Sequence, residues 1–361
     1  MKMKKIAAVL LASILSMSVI SGCGSSSSNN GGDTAKDSGS VNIFTWDGYI
    51  PEDVQKGFTD STGIKINYSN FESNEEMLTK LQAGTDGYDV VIASDYIIDI
   101  AVREGGIISE LDLEKIPNFK NISPAFQNQY YDPENKYTVP YAAGTPLIVY
   151  DPSVVDIEIT TYDDLWNEAL ADSVVMMDDG RNIIGMTLKS MGKSMNETDP
   201  AVLEEAKEKL LKLTPNIRSM AVNQIQDLLI SGEASVGYMF ASQAAIALET
   251  NPDLKVVYPT GGMGFGIDSA FVPEKSANKD NAYAFLNYIL DGEVGAQISS
   301  QIYYLCPNQA ADEYLPDSYK ENAALFIPED ALQDTEFIKD VGDATSIYDK
   351  IWTEFKQQFG A

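Results

Sequence analysis

Apolar positions along the chain alternate between short runs typical of strands and longer stretches with helical spacing. Val41, Ile43 and Phe44 predict a short buried strand, and Val54 and Phe58 share one face of a helix predicted over 51–62. Further strands are predicted at 64–68, 88–93, 174–177, 234–240 and 255–258, and further helices at 73–82, 163–169, 180–191, 203–213, 224–230, 281–290, 293–300 and 344–358. This alternation predicts an α/β fold with right-handed crossover connections.

Local signals support several of these boundaries. Thr62-Gly63 and Gly84 are expected to end the first two helices, and Ser73 with Glu76 forms a capping box at the start of the second. Residues 137–150 are expected to form two extended segments joined at 142–144, and we interpret them as a crossing between two lobes.

The amino terminus has the pattern of a signal peptide. Lys2, Lys4 and Lys5 precede an apolar run over 6–20, and Ser21-Gly22-Cys23 follows. The small residues before Cys23 resemble the lipobox of bacterial lipoproteins, in which the cysteine is lipidated. We therefore predict a signal peptide over 1–22, then lipidated Cys23 and a flexible tether over 23–40. The alternative is an uncleaved anchor, although the run is shorter than the ~20 residues that span a bilayer.

Composition excludes several classes of chemistry. The chain contains no histidine and two cysteines, and with Cys23 lipidated only the Cys306 thiol is free, so histidine-dependent catalysis and a disulfide within the mature chain are both ruled out. The net charge of −29 makes nucleic acid an improbable partner and favours attraction of cations. Gly192-Lys193-Ser194 lacks the rest of a P-loop, and the glycines at 262–266 do not complete a dinucleotide motif. We predict no cofactor, no metal and no enzymatic activity.

The remaining candidate chemistry is a set of acids and aromatic residues expected in loops at strand ends. Each also has a structural explanation: Asp179 as a helix N-cap, Asp268 as a turn residue, Trp46 packed under a turn, and Phe240 and Tyr304 in the core. Taken together they suit a cation, because a desolvated ammonium group needs an opposing carboxylate and aromatic faces add about 0.5–2 kcal/mol each. Carboxylates on two lobes would hold both ends of a diamine.

The sequence resembles the spermidine/putrescine-binding proteins of bacterial polyamine ABC transporters from about Val41 to Phe355. The segments that carry the resemblance are FTWDGYIPEDV, TGIKINYSNFESNEEMLTKL, GYDVVIASDYIID, TVPYAAGTPLIVY, GEASVGYM, FGIDSAFVPE, the Asn and Pro after Tyr304, and VGDATSIYDKIW. It implies a two-lobed type II periplasmic-binding-protein fold with the ligand cleft between the lobes. The implied lobes are 41–143 plus 265–312 and 144–264 plus 313–361.

The resemblance also implies a ligand site. Its members would be Trp46, Asp47, Tyr49, Ser94, Tyr96, Asp179, Phe240, Asp268 and Tyr304. Four positions that carry a larger or more polar residue in the family are Gly48, Asn182, Gly266 and Ile338 here, and Asp47 replaces a hydroxyl residue. Fewer acids suggest that fewer ammonium groups are bound, or that Asp47 replaces one of the acids.

The function implied is capture of a polyamine outside the cell and delivery to the transmembrane subunits of an ABC permease. We expect an exported monomer held at the outer face of the cytoplasmic membrane by its N-terminal lipid. The same fold could instead bind another small cationic metabolite, and a surface-anchored hydrolase with paired carboxylates is a more distant alternative.

Overall fold

The computed structural model describes residues 39–84, 87–221, 224–332 and 334–360. The predicted signal peptide, Cys23 and nearly all of the tether lie outside these residues. Within the part that is described, no helix has both the length and the apolar character needed to cross a membrane.

The described chain contains eleven strands. They are β1 Ser40–Thr45, β2 Lys65–Asn70, β3 Val90–Ser94, β4 Val139–Gly144, β5 Pro146–Tyr150, β6 Val174–Met177, β7 Ile217–Ala221, β8 Val236–Phe240, β9 Lys255–Val257, β10 Gly264–Phe271 and β11 Glu336–Phe337. The first sheet has the order β11-β10-β3-β1-β2, with β4 also paired to β10, and the second has the order β7-β6-β8-β5-β9. Each sheet is mixed, and each forms the centre of one lobe.

Helices cover the two sheets. They are α1 Glu52–Thr62, α2 Asn74–Ala83, α3 Asp95–Glu104, α4 Gly180–Ser190, α5 Pro200–Leu211, α6 Ile225–Ile230, α7 Ala241–Thr250, α8 Lys279–Ile289, α9 Gly292–Ile302, α10 Asp317–Lys320, α11 Glu329–Leu332 and α12 Thr345–Phe359. Short 3-10 helices occupy Leu113–Lys115, Pro117–Asn121, Pro124–Phe126, Tyr162–Trp166, Glu168–Leu170, Thr214–Asn216, Gln309–Glu313 and Gly342–Ala344.

The local capping signals act largely as predicted, although the capping box is only half formed, because the Glu76 carboxylate accepts the backbone N–H of Glu72 rather than that of Ser73. The Ser73 side chain accepts a hydrogen bond from the backbone N–H of Glu76 at 3.1 Å. Gly63 and Gly84 follow α1 and α2 with φ of 74° and 65°, a left-handed conformation that favours glycine. Val54 and Phe58 are fully buried on the inner face of α1. Both helices therefore end at a glycine that the sequence marks, and α2 also starts at a side-chain cap, whereas Pro51 gives α1 no such cap.

The chain passes between the sheets in the predicted segment. β4 belongs to the first sheet and ends at Gly144, while β5 belongs to the second and begins at Pro146. Buried Thr145 lies between them. The chain returns to the first sheet between β9 and β10. Because β11 pairs with β10, this short strand lies on the first sheet although the chain around it was assigned to the second lobe. The lobe boundaries as a whole stay a prediction.

Three expectations from the sequence are wrong. The helix expected over 163–169 is two 3-10 turns. The loop expected after β3 is instead the first turn of α3, which begins at Asp95. Asp268, expected in a turn or strand-end loop, lies within β10. The glycines at 264 and 266 interrupt the apolar pattern of this strand, which explains why the pattern did not reveal it.

Candidate functional site

The candidate residues gather where strands of the two sheets end. Trp46 follows β1, and Ser94 ends β3, in the first sheet. Asp179 comes two residues after β6, and Phe240 ends β8, in the second sheet. In α/β sheets ligands bind beyond the carboxyl ends of parallel strands. The two sheets thus contribute loops and helix starts to one cleft between the lobes.

Asp268 is the centre of the contacts on the first lobe. It lies opposite Ser94 in the antiparallel pairing of β10 with β3, and the Ser94 side chain hydrogen-bonds its carboxyl. The Tyr49 hydroxyl donates to Asp268 Oδ2 at 2.5 Å. The ring of Tyr304 meets that of Tyr49 edge to face, with the centroids 5.7 Å apart and the planes at 89°. Four predicted site residues thus form one contact cluster.

The backbone around Tyr49 is fixed by a tight turn. Gly48 has φ of 67°, and the backbone N–H of Tyr49 donates to the Trp46 carbonyl at 3.3 Å. The Tyr141 hydroxyl donates to the Tyr49 carbonyl at 2.6 Å, so the turn is anchored to β4. The indole of Trp46 packs on Phe71 at 4.3 Å between ring centroids. The packing of Trp46 under a turn, which is the structural explanation given from the sequence, therefore accounts for one of its contacts.

A second acid, Asp95, lies on the same lobe. It is 3% exposed, and its Oδ2 accepts the backbone N–H of Ile267 at 3.1 Å. Burial raises the pKa of Asp95 well above its usual range, and the nearby charge of Asp268 adds to this effect. Burial also raises the pKa of Asp268, although the hydrogen bonds from Tyr49 and Ser94 oppose the shift. Neither carboxyl forms an ion pair with a lysine or arginine in the described chain.

Tyr96, on the first lobe, is affected by the charge of Asp179 on the second lobe. Its hydroxyl accepts a hydrogen bond from Asn74 Nδ2 at 3.0 Å and donates to Glu75 Oε1 at 3.0 Å. Burial raises the pKa of Tyr96, and the negative charges of Glu75 and then Asp179 contribute. Asp179 therefore lies within electrostatic range of Tyr96, although the two residues belong to opposite lobes.

Asp179 is the N-cap of α4, which is the structural alternative that the sequence left open. Its Oδ1 accepts the backbone N–H of Asn182 at 2.9 Å, and no described residue makes another side-chain hydrogen bond to it. The neighbouring Asp178 instead pairs with Lys356 Nζ, at 3.0 and 3.1 Å. Capping uses one oxygen of Asp179 and does not exclude a ligand contact at the other.

Arg181 is a charged residue near this site that the sequence analysis missed. Its guanidinium stacks over the Tyr348 ring at 4.5 Å and donates from Nη2 to Asn196 Oδ1 at 3.1 Å and to the Lys339 carbonyl at 3.0 Å. Burial lowers its pKa, and the charges of Asp179 and Tyr96 are among those that oppose the shift. No motif in the sequence marks this position. An arginine in the first turn of a helix is normally solvated, so the sequence alone gives no reason to expect a fixed, half-buried side chain here.

The structure gives less support for Asp47 and Phe240 as site residues. Asp47 is exposed in the turn between Trp46 and Gly48. Phe240 pairs with Pro146 at the end of β8 and packs against the core of the second lobe, which agrees with the alternative of a packing residue. The assignment of all nine residues as ligand contacts stays a prediction.

Two cavities outside this cluster are too small for a metabolite. One of about 10 Å³ lies beside Cys306 and Tyr141, and another of about 50 Å³ lies beside Tyr88 and Lys275. Among the residues that the structure describes, no group of three or more His, Cys, Asp or Glu side chains is arranged to hold a metal ion. We take the contact cluster around Asp268, with the residues of the second lobe near Asp179, as the candidate site.

The fold and the cleft define an extracellular solute-binding protein. The chain belongs to this family, because the sequence model of the family described as bacterial extracellular solute-binding protein matches residues 54–327. The spermidine/putrescine-binding periplasmic protein of Salmonella typhimurium is 34% identical over 324 residues, which cover 89% of this chain and 93% of that protein. The putrescine/cadaverine-binding protein of Pseudomonas aeruginosa is 30% identical over 328 residues, which cover 87% and 92% respectively.

Solved structures agree with this placement. The spermidine/putrescine ABC transporter substrate-binding protein of Streptococcus pneumoniae has a TM-score of 0.81 and 35% identity, covering 89% of this chain and 100% of that chain. The Tp0655 lipoprotein of Treponema pallidum has a TM-score of 0.79 and 25% identity, covering 88% and 99%. The resemblance and the two-lobed fold predicted from the sequence are confirmed. The relatives are transport proteins that bind substrates, not enzymes.

Proposed function

We propose that this protein captures a polyamine outside the cell and delivers it to the transmembrane subunits of an ABC importer. The observation that carries the proposal is the pair of carboxyls on the first lobe, Asp268 and Asp95, which have no basic partner in the described chain. A carboxylate removed from water costs several kcal/mol unless a cation compensates it. An ammonium group of the ligand supplies that compensation.

Aromatic residues complete the proposed slot. The rings of Tyr49 and Tyr304 are fixed beside Asp268 by their mutual contact and by hydrogen bonds. Such faces attract a cation and pack against methylene groups. Trp46, Asp47, Tyr96 and Phe240 extend the proposed site along both lobes. Asp179 accepts a hydrogen bond from the opposite end of the ligand through its uncommitted oxygen.

The proposed lobes are 41–143 plus 265–312 and 144–264 plus 313–361, apart from β11. The strand assignments on either side of Thr145 support the first boundary. Closure of the cleft would bring Asp179 and Asp268 to opposite ends of the ligand. We propose that the protein acts as a monomer, since one chain supplies both lobes.

A thermal-shift panel tests the proposed ligand class. Polyamines should raise the melting temperature in a concentration-dependent manner, because a ligand that binds only the folded state stabilises it by RT ln(1 + [L]/Kd). Neutral sugars and amino acids of similar size serve as controls and should give no shift. A shift with sugars or amino acids and none with any polyamine would overturn the proposal.

We also propose that Cys23 carries a lipid that holds the protein at the outer face of the cytoplasmic membrane. Replacing Cys23 with Ala should move the protein from the membrane fraction to the soluble exported fraction. The variant lacks the lipid whose acyl chains hold the protein in the bilayer. Fractionation of cells expressing the two forms measures this. Absence of covalently attached lipid on the wild-type protein, shown by mass spectrometry of its N-terminal peptide, would refute the lipid anchor.

Replacing Tyr49 with Phe should weaken polyamine binding severalfold, because the lost hydrogen bond opposes the raised pKa of Asp268 and its removal favours the neutral acid. The change removes the donor to Asp268 Oδ2 and leaves the ring contact with Tyr304. Titration calorimetry at neutral pH measures the affinity. Tyr314→Phe, at an exposed tyrosine, is the matched control. Equal affinity of the Tyr49 variant and the wild type would contradict the role of the hydroxyl.

A further inference from the structure

The two ends of the cleft differ in charge. On the first lobe, Asp95 is buried and Asp268 is half-buried, and no lysine or arginine pairs with either of them in the described residues. Tyr49 and Ser94 hydrogen-bond Asp268, and the backbone of Ile267 hydrogen-bonds Asp95, but these neutral donors bring no positive charge. This end is therefore suited to an ammonium group.

The end on the second lobe already contains a cation. Arg181 follows Asp179 by two residues and interacts electrostatically with Asp179 and with Tyr96 across the cleft. Its position is fixed, because Nη2 binds Asn196 and the Lys339 carbonyl while the guanidinium stacks on Tyr348. Arg181 thus places a positive charge at this end of the cleft before any ligand arrives, and a second ammonium group would meet a guanidinium.

Two polar atoms beside Asp179 have no hydrogen-bond partner in the described chain. One is the Nε–H of Arg181, a donor, and the other is Oδ1 of Asn182, an acceptor; both atoms are buried. Asn182 is only 7% exposed, and its backbone N–H is the group that Asp179 caps. A buried polar group without a partner costs roughly 1–3 kcal/mol. A ligand that offers one acceptor and one donor at this end would remove both costs.

A neutral amide offers this pair of groups, since its carbonyl accepts and its N–H donates. We propose that the preferred ligand is a mono-N-acylated polyamine, with its ammonium group at Asp268 and its amide at Asp179, Arg181 and Asn182. This inference rests on the proposed function and specifies the ligand class. An ω-amino acid fits less well, because its carboxylate would meet Asp179 as well as Arg181.

Titration calorimetry with 1,4-diaminobutane, spermidine, the mono-N-acetyl derivative of each, and 4-aminobutanoate tests the proposal at one pH and ionic strength. The tighter-binding of the two acetylated amines should bind at least tenfold more tightly than its unmodified parent. The third kind of ligand, 4-aminobutanoate, should bind more weakly than both that acetylated amine and its parent. Parents that bind as tightly as their acetyl derivatives, or a preference for 4-aminobutanoate, would overturn the inference while leaving a cationic ligand in place. Failure of every amine to bind would overturn the proposed function itself.

A variant separates the charge argument from shape. Asn182→Asp keeps the size of the side chain and adds a negative charge beside Arg181, so the preference for the acetylated amine should fall by about tenfold or reverse. Gln357→Glu makes the same chemical change at an exposed position of α12 and should leave the preference unchanged. An unchanged preference in Asn182→Asp would contradict the assignment. The ligand series on the wild-type protein decides the proposal even if this variant does not fold.

Discussion

Replacing Asp268 with Asn should weaken amine binding by at least tenfold and raise the melting temperature of the ligand-free protein. Affinity falls because the ammonium group loses its desolvated charge partner, a loss worth roughly 3 kcal/mol when one member of a buried pair is removed. The ligand-free protein gains stability because Asn keeps the shape of the side chain and removes an uncompensated negative charge. A gain of about 1 kcal/mol corresponds to roughly 2 °C.

Titration calorimetry and thermal unfolding measure the two effects on the same preparation. Asp280→Asn is the matched control, since its side chain is 86% exposed and pairs only with Lys115 on the surface. It should change neither quantity appreciably. Unchanged affinity in the Asp268 variant would refute the anchor, and reduced affinity with a lower melting temperature would indicate a structural role instead.

The second large effect is a loss of affinity on acidification that begins at an unusually high pH. Burial raises the pKa of Asp268 above the usual aspartate value, so protonation removes the anchoring charge while an ordinary surface carboxyl is still ionised. The ammonium groups of the ligand have pKa values near 10 and stay charged. The chain has no histidine, so a change in affinity between pH 7.5 and pH 5 belongs to carboxyls.

We expect the dissociation constant to rise as the pH falls through the raised pKa of Asp268, by about tenfold per pH unit once the carboxyl is mostly protonated. The same linkage makes the contribution of Asp268 to folding more favourable at lower pH, because the folded state binds more protons at this position than the unfolded state does. The stability difference between Asp268→Asn and the wild type should therefore narrow as the pH falls. Affinity that falls on acidification no earlier than the titration of an ordinary surface carboxyl would contradict an anchor of raised pKa.

Local signals made part of the fold predictable. The starts and ends of α1 and α2 depend on residues within one turn, such as Ser73 and Gly84, so the sequence contains the whole signal. The crossing near Thr145 follows from two extended apolar segments separated by small residues. The strand β11 is different: it is two residues long and exists only because β10 lies beside it. No local pattern encodes such a pairing.

The candidate site, like the fold, was predictable from the sequence only in part. Resemblance to known proteins identified Tyr49, Ser94, Asp268 and Tyr304 as a group, and the structure brings these four side chains into contact. Asp95, within the segment GYDVVIASDYIID, and Arg181 were not assigned to the site, because each occupies the first turn of a helix, where charged residues are common and usually solvated. Their importance depends on burial, which is set by the packing of α3 and α4 against distant parts of the chain. A sequence pattern does not report that packing.

A crystal structure of the protein saturated with spermidine tests the central claim most directly. The account predicts one ligand in the cleft between the lobes, with an ammonium nitrogen about 3 Å from an Asp268 carboxylate oxygen. The rings of Tyr49 and Tyr304 should flank the adjoining methylene groups. A ligand bound elsewhere, or one in the cleft with Asp268 bonded only to Tyr49 and Ser94, would contradict it.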